Sequence, residues 1–433
     1  MVPARTSRPA SSRRERWLMA AVAVLVFLPH YAARSTVYDS RWCVHRALSL
    51  MHTGDLDLSE YEHLMGEQLH YTLERRDGCI YSTFPIGTPV LVAPLVAALD
   101  GAYAVLGDES LSARMVRDLD HVGGVQRFIA SILTAISSVL VYWLARRWGY
   151  GRAVTLSAVA IFAFCTPMWS TASRALWQHG PGVLMLLVAL CLVTAAERRP
   201  WLAQSAALPL TMAYVIRPTY SLAAAALSIY VLVRFRRVFL AYAAWGLALT
   251  AVFALYGFSV YGTPLPPYYQ PGRLGGGPVL EALAGHLVSP ARGLLVYSPI
   301  VVLAVVGVAV ARRRGRVGLL RWLLVALLVA HWLAISSFAH WWGGYSYGPR
   351  FWTDMSPVLV LLSLPALAWL VARAAKGRWA LPAAGLLLAG WSFFTHAHGA
   401  YDAEAMRWNA TPVDVDRHPR RLWDWSDPQF LRF

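Results

Sequence analysis

HWWGGYSYGPRFWT, residues 340–353, lies between two long apolar runs, 319–338 and 355–371, and belongs to neither. Each flanking run is about long enough to cross a bilayer. Two adjacent glycines, a Gly-Pro break and three tryptophans read as a structured loop at the membrane–water boundary, where indole and phenol rings settle. Arg350 has no acid within three residues on either side and precedes a helix start marked by Thr353, Asp354 and Pro357. A helix N-terminus is already electropositive, so a cation there is unfavourable unless an anion joins it. The loop therefore reads as a site for a phosphate or carboxylate, with Trp341, Trp342 and Tyr345 beside the cation.

Working outward, the rest of the chain has the same character. Of 433 residues 57% are apolar and 14% charged, and the mean hydropathy is +0.46. These values exclude a soluble globular protein and define a polytopic membrane protein. The net charge of +16 does not point to nucleic acid, because the basic residues sit in short clusters between apolar runs, which is a topology signal. Residues 1–16 are basic and 17–33 apolar. With ten further apolar runs behind it, 17–33 reads as a retained first helix rather than a cleaved signal.

The apolar runs are 17–33, 128–145, 153–170, 181–196, 201–216, 219–233, 238–258, 294–311, 319–338, 354–372 and 379–396, with 85–106 ambiguous. If 85–106 makes no net crossing, the arginine clusters at 13–16, 146–152, 198–199, 234–237, 312–316 and 373–378 all fall on one side, where Glu15 and Glu197 are the only acids. The positive-inside rule makes that side cytoplasmic. The expected fold is all-α with about eleven crossings, N-terminus in and C-terminus out. It comprises a transmembrane domain 1–396, a large extracytoplasmic loop 35–84, a surface or re-entrant segment 85–106, and a Trp-rich tail 397–433 outside. Proline and glycine in 81–89 argue against a straight span there. The polar and aromatic motifs then lie on the outer face.

Helices returning from that face begin beside a cation: Arg127, Arg174 with His179, Arg217, Arg292 and Arg350. Snorkelling to lipid phosphates explains such residues singly. Arg350 and Arg292, in Gly-Pro-Arg and Ser-Pro-Ala-Arg-Gly contexts among aromatics, read better as anion sites. Asp39 follows the first helix directly and is held near the membrane surface, where a carboxylate can act as general base for a hydroxyl. The competing reading is an ion pair with Arg41 or Arg34. Asp55 and Asp57 read as solvated or capping residues. Cys43 and Cys79 share the first loop and are candidates for a disulfide. The scattered histidines have no metal-ligand spacing, so no metal or cofactor is expected.

An N-in first helix, an acidic first outer loop, Tyr81-Ser82-Thr83-Phe84-Pro85-Ile86-Gly87 closing it, and many spans with short inner loops resemble the GT-C superfamily of membrane glycosyltransferases. That superfamily includes the protein O-mannosyltransferases and the lipid A aminoarabinose transferases. The loop at 341–350 and the tail with Trp408, Trp423 and Trp425 look like a bacterial branch of it. The resemblance implies a polyprenyl-phosphate-linked sugar as donor, Asp39 as base, residues from Tyr81 to Gly87 near the donor phosphate, and inversion at the anomeric carbon. Many members carry an acid-Lys-Pro-Pro sequence where this chain has Thr83-Phe84-Pro85-Ile86, so Arg350, Arg292 or Arg217 would supply the missing charge. Arg41, His179 and Tyr81 complete the candidate substrate-binding set.

The function expected is transfer of a sugar to a lipid, glycan or protein acceptor outside the cytoplasmic (inner) membrane, with membrane lipids as neighbours and no nucleic acid. The alternative is a transporter or flippase of a lipid-linked or anionic substrate, which calls for charged or broken helices at the midplane.

Overall fold

The computed structural model describes residues 13–270 and 276–433; the first twelve residues of the basic N-terminal stretch lie outside them. The described chain is mostly helical with almost no sheet. In order come α1 (Arg13–Ala32), α2 (Cys43–His52), α3 (Gly87–Leu106), α4 (Leu111–Arg117), α5 (Val122–Arg147), α6 (Arg152–Phe164) and α7 (His179–Ala196). Then follow α8 (Leu202–Ser205), α9 (Ala207–Ile216), α10 (Ser221–Arg234), α11 (Phe239–Tyr261), α12 (Val279–Val288) and α13 (Leu294–Tyr297). The last are α14 (Val302–Arg313), α15 (Leu319–Ser336), α16 (Ser356–Ala374), α17 (Ala380–Tyr401) and α18 (Glu404–Arg407).

Seven helical stretches among the described residues are long and apolar enough to cross a bilayer: Gly87–Leu106, Val122–Arg147, His179–Ala196, Arg236–Tyr261, Leu319–Ser336, Arg350–Ala374 and Ala380–Tyr401. The chain is therefore a membrane protein. Six of the seven coincide with expected spans. The other expected spans are helical but shorter or more polar: α6 has 13 residues, and 294–311 is divided between α13 and α14 by a 3₁₀ turn at Pro299–Val301.

The seventh stretch is 85–106, which the sequence leaves ambiguous, and its prolines do not break the helix. α3 is a continuous helix of 20 residues. Pro89 sits in its first turn, where the missing N–H has no intrahelical partner to lose; Pro94 removes one interior bond without ending the helix. Both flanks of α3 nevertheless return to α2. Arg46 Nη1 donates to the carbonyls of Phe84 and Pro85 before the helix, at 3.2 Å each. The carbonyl of Met115, on α4 after it, lies 3.3 Å from the ring of His45. Neighbouring residues of one short helix thus hold both ends of the excursion.

The long first connection is itself folded. β1 (Leu73–Arg76) and β2 (Cys79–Ser82) pair antiparallel around Asp77-Gly78, both with positive φ, 49° and 86°. That turn geometry favours Asp-Gly. Asp57 accepts the N–H groups of Leu58, Ser59 and Ile80 and ties the hairpin down, while Trp42, Leu58, Tyr61, Leu73 and Ile80 form a small core beneath it. Cys43 and Cys79 are unbonded, which corrects the disulfide expectation. Cys43 packs among Val44, Val92 and Val125, whereas Cys79 starts β2.

The centre of the bundle is α16, whose residues from Ser356 to Leu367 are all buried. α11 lies at the periphery with Leu240, Leu247 and Leu255 exposed, as befits a surface for lipid.

Candidate functional site

Several backbone breaks bring one site together. α9 stops at Arg217 because Pro218 follows: a residue before proline is driven out of the helical region, and Arg217 is extended at φ −151°, ψ 115°. α7 begins at His179, and Gly182 in its first turns lets Tyr220 approach so closely that an added Cβ would sit 2.3 Å from the ring. Between α15 and α16, Gly343, Gly344 and Gly348 all have positive φ. This conformation disfavours side chains with a Cβ. It turns the Gly343 carbonyl to Arg350 Nη1 at 3.1 Å and the Gly344 carbonyl to Arg292 Nη2 at 3.1 Å. On the opposite wall, the buried Gln126 amide donates to the Ser40 carbonyl at 2.7 Å and accepts the Leu176 N–H at 3.1 Å, joining the Asp39 turn to the approach to α7.

The result is a cavity open to solvent, bordered by Asp39, His179, Arg217 and Arg350 and by residues of α2 and the start of α3. Arg350 Nη2 donates to Asp39 Oδ2 at 2.6 Å, and Tyr71 donates to Oδ1 at 2.5 Å. The Arg350 guanidinium lies 3.8 Å from the centre of the Trp177 ring, a cation–π contact at close range. Behind it, His179 Nδ1 lies 2.8 Å from Asp354 Oδ1. Arg217 pairs with Asp354 at 3.3 Å, and Tyr220 donates to the same carboxylate at 3.2 Å. With the imidazole proton on Nδ1 for Asp354, the Nε2 lone pair accepts from Arg350 Nε at 3.3 Å, and Arg217 Nη1 lies 2.9 Å from both ring nitrogens. A neutral histidine is the species that fits between a carboxylate and two guanidiniums.

Burial pushes the Asp39 carboxyl up, but the charge of Arg350 and the hydrogen bonds from Tyr71 and Arg350 outweigh it and hold it below its ordinary value. It is a carboxylate at neutral pH.

Four of the expected site residues meet here: Asp39, His179, Arg217 and Arg350. Arg350 is not a cation awaiting an anion; its partner is Asp39 itself, 311 positions away, rather than Arg41 or Arg34. Arg41 is half-buried and does not border the cavity. Tyr81 lies on the hairpin away from it, although Ser82, Phe84 and Pro85 of the same segment do border it. Arg292 is no anion site. It is buried and spends its donors on Trp342 O, Ala291 O, Gly344 O, Gln429 Oε1 and Asn409 Oδ1.

Trp341, Trp342 and Tyr345 anchor the tail rather than a substrate. Trp341 and Trp342 pack with Trp408, Val415 and Leu422, Trp342 Nε1 donates to Asp416 at 2.7 Å, and Tyr345 donates to Asp414 at 2.6 Å. Arg174 and Arg127, read as snorkelling, instead bind backbone carbonyls: Arg174 those of Arg34 and Gly399, Arg127 that of Ala33. Irregular backbone between apolar helices leaves carbonyls unpaired, and a guanidinium can satisfy several at once.

Sequence reasoning missed Asp354 and Arg46. Asp354 at the head of an apolar helix has the look of a cap, yet no side chain caps α16 and Asp354 is wholly buried. Its signal was an acid followed at once by a long apolar run. Compared with models of known protein families and with curated proteins, the chain gives no match.

Proposed function

We propose that the protein is a membrane glycosyltransferase of the GT-C kind, which moves a sugar from a polyprenyl-phosphate carrier to an acceptor hydroxyl at the cavity. The observation that carries the reading is a carboxyl group, Asp39, paired with Arg350 and facing a cavity it shares with three guanidiniums in an apolar helical bundle. Tyr71 already donates a hydroxyl to Asp39 Oδ1, which is the contact an acceptor hydroxyl would make. In the proposed step the acceptor oxygen bonds to the anomeric carbon as the bond from that carbon to the phosphate oxygen breaks. The hydroxyl proton passes to Asp39, the bonding pair leaves with the phosphate, and a cation bordering the cavity stabilises the charge that develops there. Backside attack inverts the anomeric centre.

The arginine-rich helix ends support an orientation. Glu15 draws together Arg146 and Arg152 at the start of α1, the end of α5 and the start of α6, and no residue of that cluster borders the cavity. We take that end as cytoplasmic and the cavity end as facing outward from the inner membrane. The eleven-crossing topology, with α3 making no net crossing, follows from the same assignment.

The test uses purified protein in lipid, a panel of polyprenyl-phosphate sugars, and mass spectrometry of released polyprenyl phosphate. Asp39→Asn is expected to slow release by roughly 10²- to 10⁴-fold. Absence of release from every donor by folded wild type would end the enzyme reading and favour a transporter of the same substrate class.

A further inference from the structure

The charges around the cavity do not balance. Asp39 and Asp354 are matched by Arg350 and Arg217, and His179 is neutral in the arrangement above. Arg46, on α2, is left over. It borders the same cavity, is only 3% exposed, and forms no ion pair among the described residues. Its Nη1 serves the carbonyls of Phe84 and Pro85, but Nε and Nη2 have no hydrogen-bond partner. The Tyr256 hydroxyl lies beside the guanidinium and that of Tyr261 lies in its field, and neither is an acid that would match its charge. A buried charge left uncompensated is strongly unfavourable.

Three further donors border the same cavity. Trp42 Nε1, Thr88 Oγ1 and Ser40 Oγ are buried without partners, and their residues are 4%, 3% and 6% exposed. Most buried polar groups are satisfied, so orphaned donors on one cavity that also holds a surplus cation mark a place that a ligand completes. The free Nε–Nη2 edge of a guanidinium presents two parallel N–H groups, the geometry that matches two oxygens of one oxyanion.

We propose that Arg46, with Trp42, Thr88 and Ser40, is the cavity's oxyanion-binding site and takes a phosphate group, while Arg350 and Arg217 remain committed to the two aspartates. The site deepens the glycosyltransferase reading, on which it rests only for what carries the phosphate. The phosphate can be free in solution or the headgroup of a lipid.

The experiment is binding to full-length protein in zwitterionic nanodiscs, followed by intrinsic tryptophan fluorescence, because Trp42 and Trp177 border the site. Inorganic phosphate and sugar-free polyprenyl phosphate are the two probes. Wild type is expected to bind at least one; saturation by the lipid alone assigns a headgroup site, and saturation by both assigns the phosphate group itself. Arg46→Gln should weaken binding roughly tenfold or more, Arg46→Lys less, and Trp42→Phe and Thr88→Val severalfold each, with Asp39→Asn retaining it. If Arg46→Gln does not fold, the Trp42 and Thr88 variants carry the test. Binding unchanged in the folded variants, or no binding of either probe by wild type, overturns the proposal. Neither readout requires sugar transfer, so an intact Arg46-dependent site in a protein that releases no polyprenyl phosphate would reject the enzyme reading and keep this one.

Discussion

Asp39 and Arg350 set each other's chemistry. The folded carboxyl lies below its ordinary value because the guanidinium and two hydrogen bonds outweigh burial. A group depressed in this way stabilises the fold above its unfolded pKa, and that contribution is lost as pH falls through the folded value. Activity that needs the carboxylate should likewise persist into acid until Asp39 protonates. Arg350→Gln removes the largest lowering influence and leaves burial, which raises the pKa, so the acid limb of the pH–rate profile is expected to move to higher pH. An unmoved limb in an active variant would mean that Asp39 is not the titrating base or that Arg350 is not its partner. Arg292 is the contrast at this scale: an equally aromatic setting, but every donor direction ends on a carbonyl or amide of the loop and tail.

Among elements, the bundle relies on close backbone approach more than on bulk. Without water between helices, contact and small residues drive association in a bilayer. At Gly307 on α14, an added Cβ would stand 2.1 Å from the Leu362 carbonyl oxygen on α16, and that atom cannot rotate away. Gly307→Ala should force the helices apart and cost about 1–3 kcal/mol, read as a lower Tm in detergent; an unchanged Tm would deny the contact. The first loop is also an element-scale matter. Its hairpin was announced by Asp77-Gly78 between Leu73–Arg76 and Cys79–Ser82, a short-range signal obscured by the helical character of everything around it. α3 runs on through Pro89 and Pro94 because the first turn tolerates a proline and a single interior one does not end the helix.

At the scale of the whole molecule, the proposed topology makes a sharp statement about both flanks of α3. In a cysteine-free background, cysteines at Glu67 and Asp108, both exposed, should label from outside with an impermeant reagent, and one at Lys376 only after permeabilisation. Labelling of position 108 only after permeabilisation would mean that α3 crosses the bilayer and would invert every later helix.

That this is a helical membrane protein, that its arginines cluster between apolar runs, and that 340–353 is a structured loop were all determined by sequence, because hydropathy, span length and glycine–proline breaks act locally along the chain. Asp39, His179, Arg217 and Arg350 were also picked out there, each as a charged or polar residue beside the end of an apolar run. Their partners were not. Asp39 meets Arg350 across 311 positions, Arg217 and His179 meet on Asp354, and Arg46 pairs with no acid among the described residues, because separate backbone breaks have to converge before any of these charges can find another. Only the tertiary structure decides that convergence, and with it which arginines are staples and which are paired.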